Sequence, residues 1–160
     1  MYSRGDIAVY PAHGVGVIEA IETKSISGQD CSFLIMRILD NDMTIMIPTN
    51  NVNKVGLRSV IDKKKVDGIF SILQGDSIPI DSKTWNKRFR DYSEKVKVGS
   101  TSDIAEVMRD LMNLKNHKTL SFGERKMLDN VKNLLAQEIA MATNDKAHEV
   151  EERLTGVFDN

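Results

Sequence analysis

The chain has 160 residues, 41% of them hydrophobic and 28% charged, with a formal net charge of −1. That composition fits one medium or two small globular domains, lacks any apolar run near the roughly 20 residues of a membrane span, and argues against a general polyanion binder. The single cysteine, Cys31, excludes an intrachain disulfide and suits a reducing compartment, and the first residues lack the basic and apolar regions of a signal peptide, so a cytoplasmic protein is expected.

In chain order, the first 60 residues alternate short β-type runs with turn residues. Ile7 to Tyr10 ends at Pro11, and Val15 to Ile21 follows a turn at Gly14. Ser27-Gly28-Gln29-Asp30 leads to Phe33 to Leu39, and Asp40-Asn41-Asp42 to Met43 to Ile47. Closely spaced strands with hairpin-type turns predict a small antiparallel sheet curled into a barrel. From Thr44 to Ile47 apolar residues are nearly continuous, which means either a sheet covered on both faces or a face kept apolar for a partner.

Beyond Pro48 the apolar period changes to three and four. Val66, Ile69, Phe70 and Leu73 form one helix stripe, Phe89, Tyr92 and Val96 a second, and Ile104, Val107, Met108, Leu111 and Leu114 a third. Met127, Leu128, Val131, Leu134, Leu135 and Ile139 line a long helix that Ser121 and Glu124 can open as a capping box. Val150, Leu154, Val157 and Phe158 line the last. The expected class is α+β in two domains, with a β-barrel joined near residues 56 to 61 to a compact all-α domain of about five helices.

Chemistry-bearing patterns are sparse. His13, His117, His148 and Cys31 show no ligand spacing, so no structural metal is expected. Gly14-Val15-Gly16 is a lone GxG inside a β run, better read as a turn than as a phosphate cradle. No serine sits in a nucleophile elbow, and neither an enzyme nor a cofactor follows from the sequence.

Charge, however, is uneven. Residues 61 to 99 hold nine Lys and Arg against six Asp and Glu, whereas the segments on either side are net acidic. The basic excess surrounds the only tryptophan, Trp85, which lies among Lys83, Lys87, Arg88 and Arg90. Trp85, Phe89, Tyr92 and Val96 recur at helical spacing, as a core stripe would. Yet Trp85 is at the first turn, with Ser82 or Thr84 as N-cap, and a side chain there can project past the packed stripe onto a basic rim. Both readings stand on the residues alone.

As a set, several segments look familiar: Gly5 to Gly16 (GDIAVYPAHGVG), Ile45 to Pro48 (IMIP), Val55 to Arg58 (VGLR), Thr84 to Arg88 (TWNKR), Ile104 to Leu111 (IAEVMRDL) and Leu120 to Leu128 (LSFGERKML). Together, in order and over essentially the whole chain, they resemble the CarD family of bacterial transcription regulators in its stand-alone CdnL form. The resemblance implies a Tudor-like, SH3-like domain over residues 1–58 that binds the β subunit of RNA polymerase, and a helical domain over residues 59–160 that faces promoter DNA near the −10 element. It implies that Trp85 enters the minor groove at the edge of the melted region, with Lys87, Arg88, Arg90 and Lys126 as candidate phosphate contacts. For the polymerase surface it points to Lys24, Arg37, Ile45, Met46, Ile47 and Pro48, with an apolar contact at Met46 where some members are basic.

The expected activity is stabilisation of the open promoter complex by a monomer. Three rivals differ in class: a polymerase-binding adaptor whose helical domain contacts another protein, a Tudor-type reader of methylated side chains, and an unrecognised hydrolase. The reader needs an aromatic cage, and the β half offers only Tyr2, Tyr10 and Phe33.

Overall fold

The computed structural model describes residues 2–76 and 85–159, with Trp85 and Asn86 described by their helical backbone alone. Two compact units divide the chain, Met1–Val60 and Ile61–Asn160.

The first unit is a four-stranded antiparallel sheet in the order β1 (Ile7–Tyr10), β2 (Gly14–Ile26), β3 (Gln29–Ile38) and β4 (Thr44–Pro48). It curls as a half-barrel over a core of Ala8, Ile18, Leu34, Met36, Ile38, Ile47 and Leu57. Strand alternation places the strand residues among them on one face, and Leu57 joins them from beyond β4. After β4 comes a short helix, α1 (Val52–Val55), and the chain then returns to the β1 edge, where Val9 and Arg58 exchange both backbone hydrogen bonds at 2.7 and 3.1 Å.

Two details differ from the expected strands. The β2–β3 hairpin is longer, because Ser27 and Gly28 alone form its turn, both with positive φ (53° and 79°), as a two-residue hairpin of the primed type requires. Residues 21 to 30 are exposed throughout, so this ribbon has no buried face and no apolar alternation to read. The GxG segment opens β2, and the turn precedes it at residues 11 to 13. Gly16 meets a packing demand, since a Cβ there would lie 2.6 Å from Met36 Cε and 2.8 Å from the Arg37 carbonyl oxygen.

The second unit contains α2 (Val66–Gln74), α3 (Trp85–Val98), α4 (Thr101–Lys115), α5 (Phe122–Thr143) and α6 (Ala147–Gly156). Helix α4 is central, packing against α2, α3 and α5, while α6 packs on α5. Its predicted stripe of Ile104, Val107, Met108, Leu111 and Leu114 is buried, and the stripes of α2 and α5 meet it in one continuous core. Ser100 caps α4 by accepting from the Asp103 amide at 3.1 Å, and the Ser121–Glu124 capping box opens α5. Glu138, 3% exposed, accepts from the Ile61 amide at 2.8 Å and from Thr101 Oγ1 at 3.1 Å, which ties the start of this unit to α5 and α4. Among the described residues no helix is long and apolar enough to cross a membrane.

Candidate functional site

In the helical unit the residues of interest gather around the start of α3. Burial along its stripe fades toward that start: Val96 is 6% exposed, Tyr92 half-buried, and Phe89 46% exposed. The buried end is fastened to α4 by Lys95, whose ammonium donates to Glu106 at 3.0 Å. The Tyr92 phenol is pushed up to about 12, by burial first and then by the Asp110 carboxylate. The Trp85 side chain, and Ser82 and Thr84 as caps, lie outside the described residues.

Of the predicted phosphate contacts, Lys87 and Arg90 are exposed on α3, and Lys126 is exposed on α5. Arg88 is placed differently. Its side chain is only 16% exposed, and its Nη2 donates to Glu124 Oε2 at 3.4 Å, while the Glu124 side chain is fully buried. The other carboxylate oxygen accepts from the Ser121 amide and from Lys118 Nζ, both at 2.9 Å. Burial pushes the Glu124 carboxyl up, but the hydrogen bonds from Lys118 and Ser121 outweigh it and hold the group below its ordinary value. Arg88 thus joins the first turn of α3 to the capped end of α5.

That junction brings a second exposed set near Arg88. Phe122, Arg125 and Lys126 stand at i, i+3 and i+4 on α5, and Phe122 is 74% exposed. Phe122 precedes Val131 by nine residues, half a revolution away from the buried stripe. That helical position was the available signal for its exposure, whereas nothing in the sequence announced that Glu124 would bind Arg88. Beyond Arg125, a groove of about 640 Å³ between the α4–α5 loop and α5 is lined by Lys115, Lys118, Arg125 and Lys132, with Asp129 opposing them.

In the sheet unit, Thr44, Met46 and Pro48 alternate onto the outward face of β4, opposite Arg37, Ile35 and Phe33 of β3. Met46 is 45% exposed. The Arg37 guanidinium is held by Glu19 and Asp42, and those hydrogen bonds raise its pKa, so its charge is fixed. Ile45 is half-buried against the core, and Ile47 is 1% exposed and turned wholly inward, so Ile47 has only its backbone to offer a partner. Lys24 stands on the exposed β2–β3 ribbon, 4.0 Å from Glu22. The structure therefore gathers Arg37, Met46 and Pro48 on one face, and the register places Lys24, opposite Cys31, on that same face further out along the ribbon.

Comparison with known proteins accounts for both units. The family model for the CarD-like/TRCF RID domain matches residues 2–61, and that for the CarD C-terminal domain matches residues 68–155. The chain belongs to the CarD family. Over 140 residues this CarD-family chain is 38% identical to YdeB of Bacillus subtilis (strain 168), a proposed transcription factor, covering 87% of the chain and 90% of YdeB. CdnLNt from Myxococcus xanthus is 51% identical over 38% of the chain and 86% of its own length, with a TM-score of 0.34. The N-terminal domain of Myxococcus xanthus CarD is 34% identical over 37% of the chain and 79% of its own length, with a TM-score of 0.32. The family is one of bacterial transcription regulators, as the sequence motifs implied.

Proposed function

We propose that this CarD-family protein binds the β subunit of RNA polymerase through residues 1–58 and stabilises the open promoter complex through residues 59–160, with Trp85 as a wedge in the minor groove at the upstream edge of the −10 bubble. The observation that carries this reading is the fading burial of α3: the stripe that packs at Val96 is half in solvent by Phe89, and exposed Lys87 and Arg90 flank that end. An aromatic one turn further out, on a basic rim, is suited to a distorted groove. Lys87, Arg90 and Lys126 would meet phosphates, and the helix N-terminus adds partial positive charge.

An apolar wedge costs a few kcal/mol of unstacking, which is recovered only where DNA is already melted or the protein is held by another contact. Polymerase supplies both conditions. A side chain that fits the open promoter better than the closed one shifts the equilibrium by that difference in affinity. On the sheet unit, the outward strip of Arg37, Met46 and Pro48, with the half-buried Ile45, is the surface proposed for polymerase, and the match to the RID domain model supports it. The exposed ring of Phe122 favours one other reading, in which the helical unit grips a protein instead of DNA.

The deciding experiment is the lifetime of the open complex formed by a bacterial RNA polymerase on a weakly melting promoter. Wild type is expected to prolong it, and Trp85→Ala, folded and polymerase-bound, is not. Equal lifetimes with both proteins would remove the wedge from the mechanism. Lys87→Glu with Arg90→Glu separates the second reading: full activity in that variant would favour a protein partner.

A further inference from the structure

We infer that Arg88 is a positioning residue for the Trp85 helix and not a phosphate contact: bound to the buried Glu124 carboxylate, it fixes the first turn of α3 against the capped start of α5. Its consequence at the promoter rests on the proposed function; its geometry does not.

Three features converge on this role. Arg88 follows Trp85 by three residues, so both belong to the first turn of α3. Its anchor is rigid, since Glu124 sits on the first turn of α5 and is also bonded to Ser121 and Lys118. Among the described residues of α3, Val96, near the far end, is the one buried in the core, and Phe89 is half in solvent. A helix end without such ties frays.

The same geometry argues against phosphate contact. Turning the guanidinium to DNA means breaking its contact with a buried carboxylate, a penalty of about tenfold in binding. Lys87 and Arg90, both exposed, carry no such penalty. Consecutive basic residues on α3 thus divide into one that faces inward and two that face solvent.

Two readouts test the inference on the full-length protein. The variant is Arg88→Met, which keeps the packed stem and removes the charge while Glu124 retains Lys118 and Ser121, so folding is expected to survive. In the absence of DNA, the indole of Trp85, the chain's single tryptophan, reports the pose of the first turn. Acrylamide quenching of its fluorescence is expected to change in Arg88→Met and in Glu124→Gln, with no further change in the double variant, and to stay at the wild-type value in Lys87→Met and Arg90→Met.

In the open-complex assay, Arg88→Met is expected to shorten the lifetime by a similar factor at every salt concentration. Lys87→Met and Arg90→Met are each expected to reduce the salt slope by about 0.9, the contribution of one phosphate contact. Unchanged quenching in Arg88→Met overturns the inference, and so does a loss of slope equal to that of Lys87→Met. If wild type fails to prolong the lifetime at all, the proposed function falls, while the quenching comparison still decides the role of Arg88. Should Glu124→Gln not fold, Arg88→Met against Lys87→Met and Arg90→Met remains decisive.

Discussion

Glu124→Gln isolates the charge of a carboxylate that is fully buried yet ionised. Glutamine serves the capping box as glutamate does, so the start of α5 is preserved and the ion-pair partners alone lose their counter-charge. Lys118, 44% exposed, can turn its ammonium to water, and its loss is worth about 0.5–1 kcal/mol. Arg88, 16% exposed, cannot leave as freely; its 3.4 Å hydrogen bond is long, and its loss adds about 1–1.5 kcal/mol. The expected destabilisation at pH 7 is about 2 kcal/mol, or a shift of about 1 M in the urea midpoint for a unit of this size. Because the folded-state pKa of Glu124 lies below its ordinary 4.5, the contribution is complete above that value and is lost as pH falls through the depressed one. The gap between wild type and Glu124→Gln should therefore be full at pH 7, begin to close near pH 4.5 and continue closing at lower pH. Equal midpoints at pH 7, or a gap that stays constant to pH 3, would refute the assignment of an ionised, ion-paired Glu124.

Glu138→Ala removes the acceptor shared by the Ile61 amide and the Thr101 hydroxyl, and is expected to destabilise the helical unit by about 3 kcal/mol in urea unfolding. Gly16→Ala sets a methyl 2.8 Å from the Arg37 carbonyl oxygen, which a rotamer change cannot relieve; a loss of about 1–3 kcal/mol confined to the sheet unit is expected, read by amide exchange in β2 and β3. In a phenolate absorbance titration of the three tyrosines, Tyr92 is expected to ionise last, near pH 12, and Tyr92→Phe to remove that final step.

Legibility in the sequence followed burial. β1 is Ile7–Tyr10 as expected, and the stripes of α2, α4 and α5 are buried as their periods predicted, because each packs one face against a common core. The same rule explains the shortfall at β2, where the expected strand stops at Ile21 and the observed one runs to Ile26: with both faces in solvent, the outer ribbon leaves no apolar pattern. For α3 the period was legible but its meaning was not. Phe89, Tyr92 and Val96 share a face, yet how far the neighbouring α4 covers that face is a tertiary fact, and burial fades along it. Arg88 is the sharper case. In sequence it is one cation among several, and only the approach of α5, 36 residues on, turns it toward a carboxylate.

That distinction between cations changes what the charge pattern means. Arg88 and Lys118 are committed to Glu124, Lys95 to Glu106, Arg109 to Asp110 and Arg153 to Asp145, so part of the helical unit's positive charge is matched locally. Among the exposed cations, Lys87, Arg90 and Lys126 are the ones proposed to meet phosphates, and three such contacts give a salt slope of only about −3, too little to hold duplex DNA firmly at physiological salt. On the proposed reading this weakness is functional. A protein with strong phosphate affinity would bind closed and open promoters alike and shift nothing between them. Tethered through the sheet unit to polymerase, the helical unit needs little intrinsic affinity, because the tether supplies an effective concentration on the order of millimolar. The discrimination is then left to the group that fits only melted DNA, and the rigidity of the turn that carries it, set by Arg88 and Glu124, decides how much of that fit reaches the open complex.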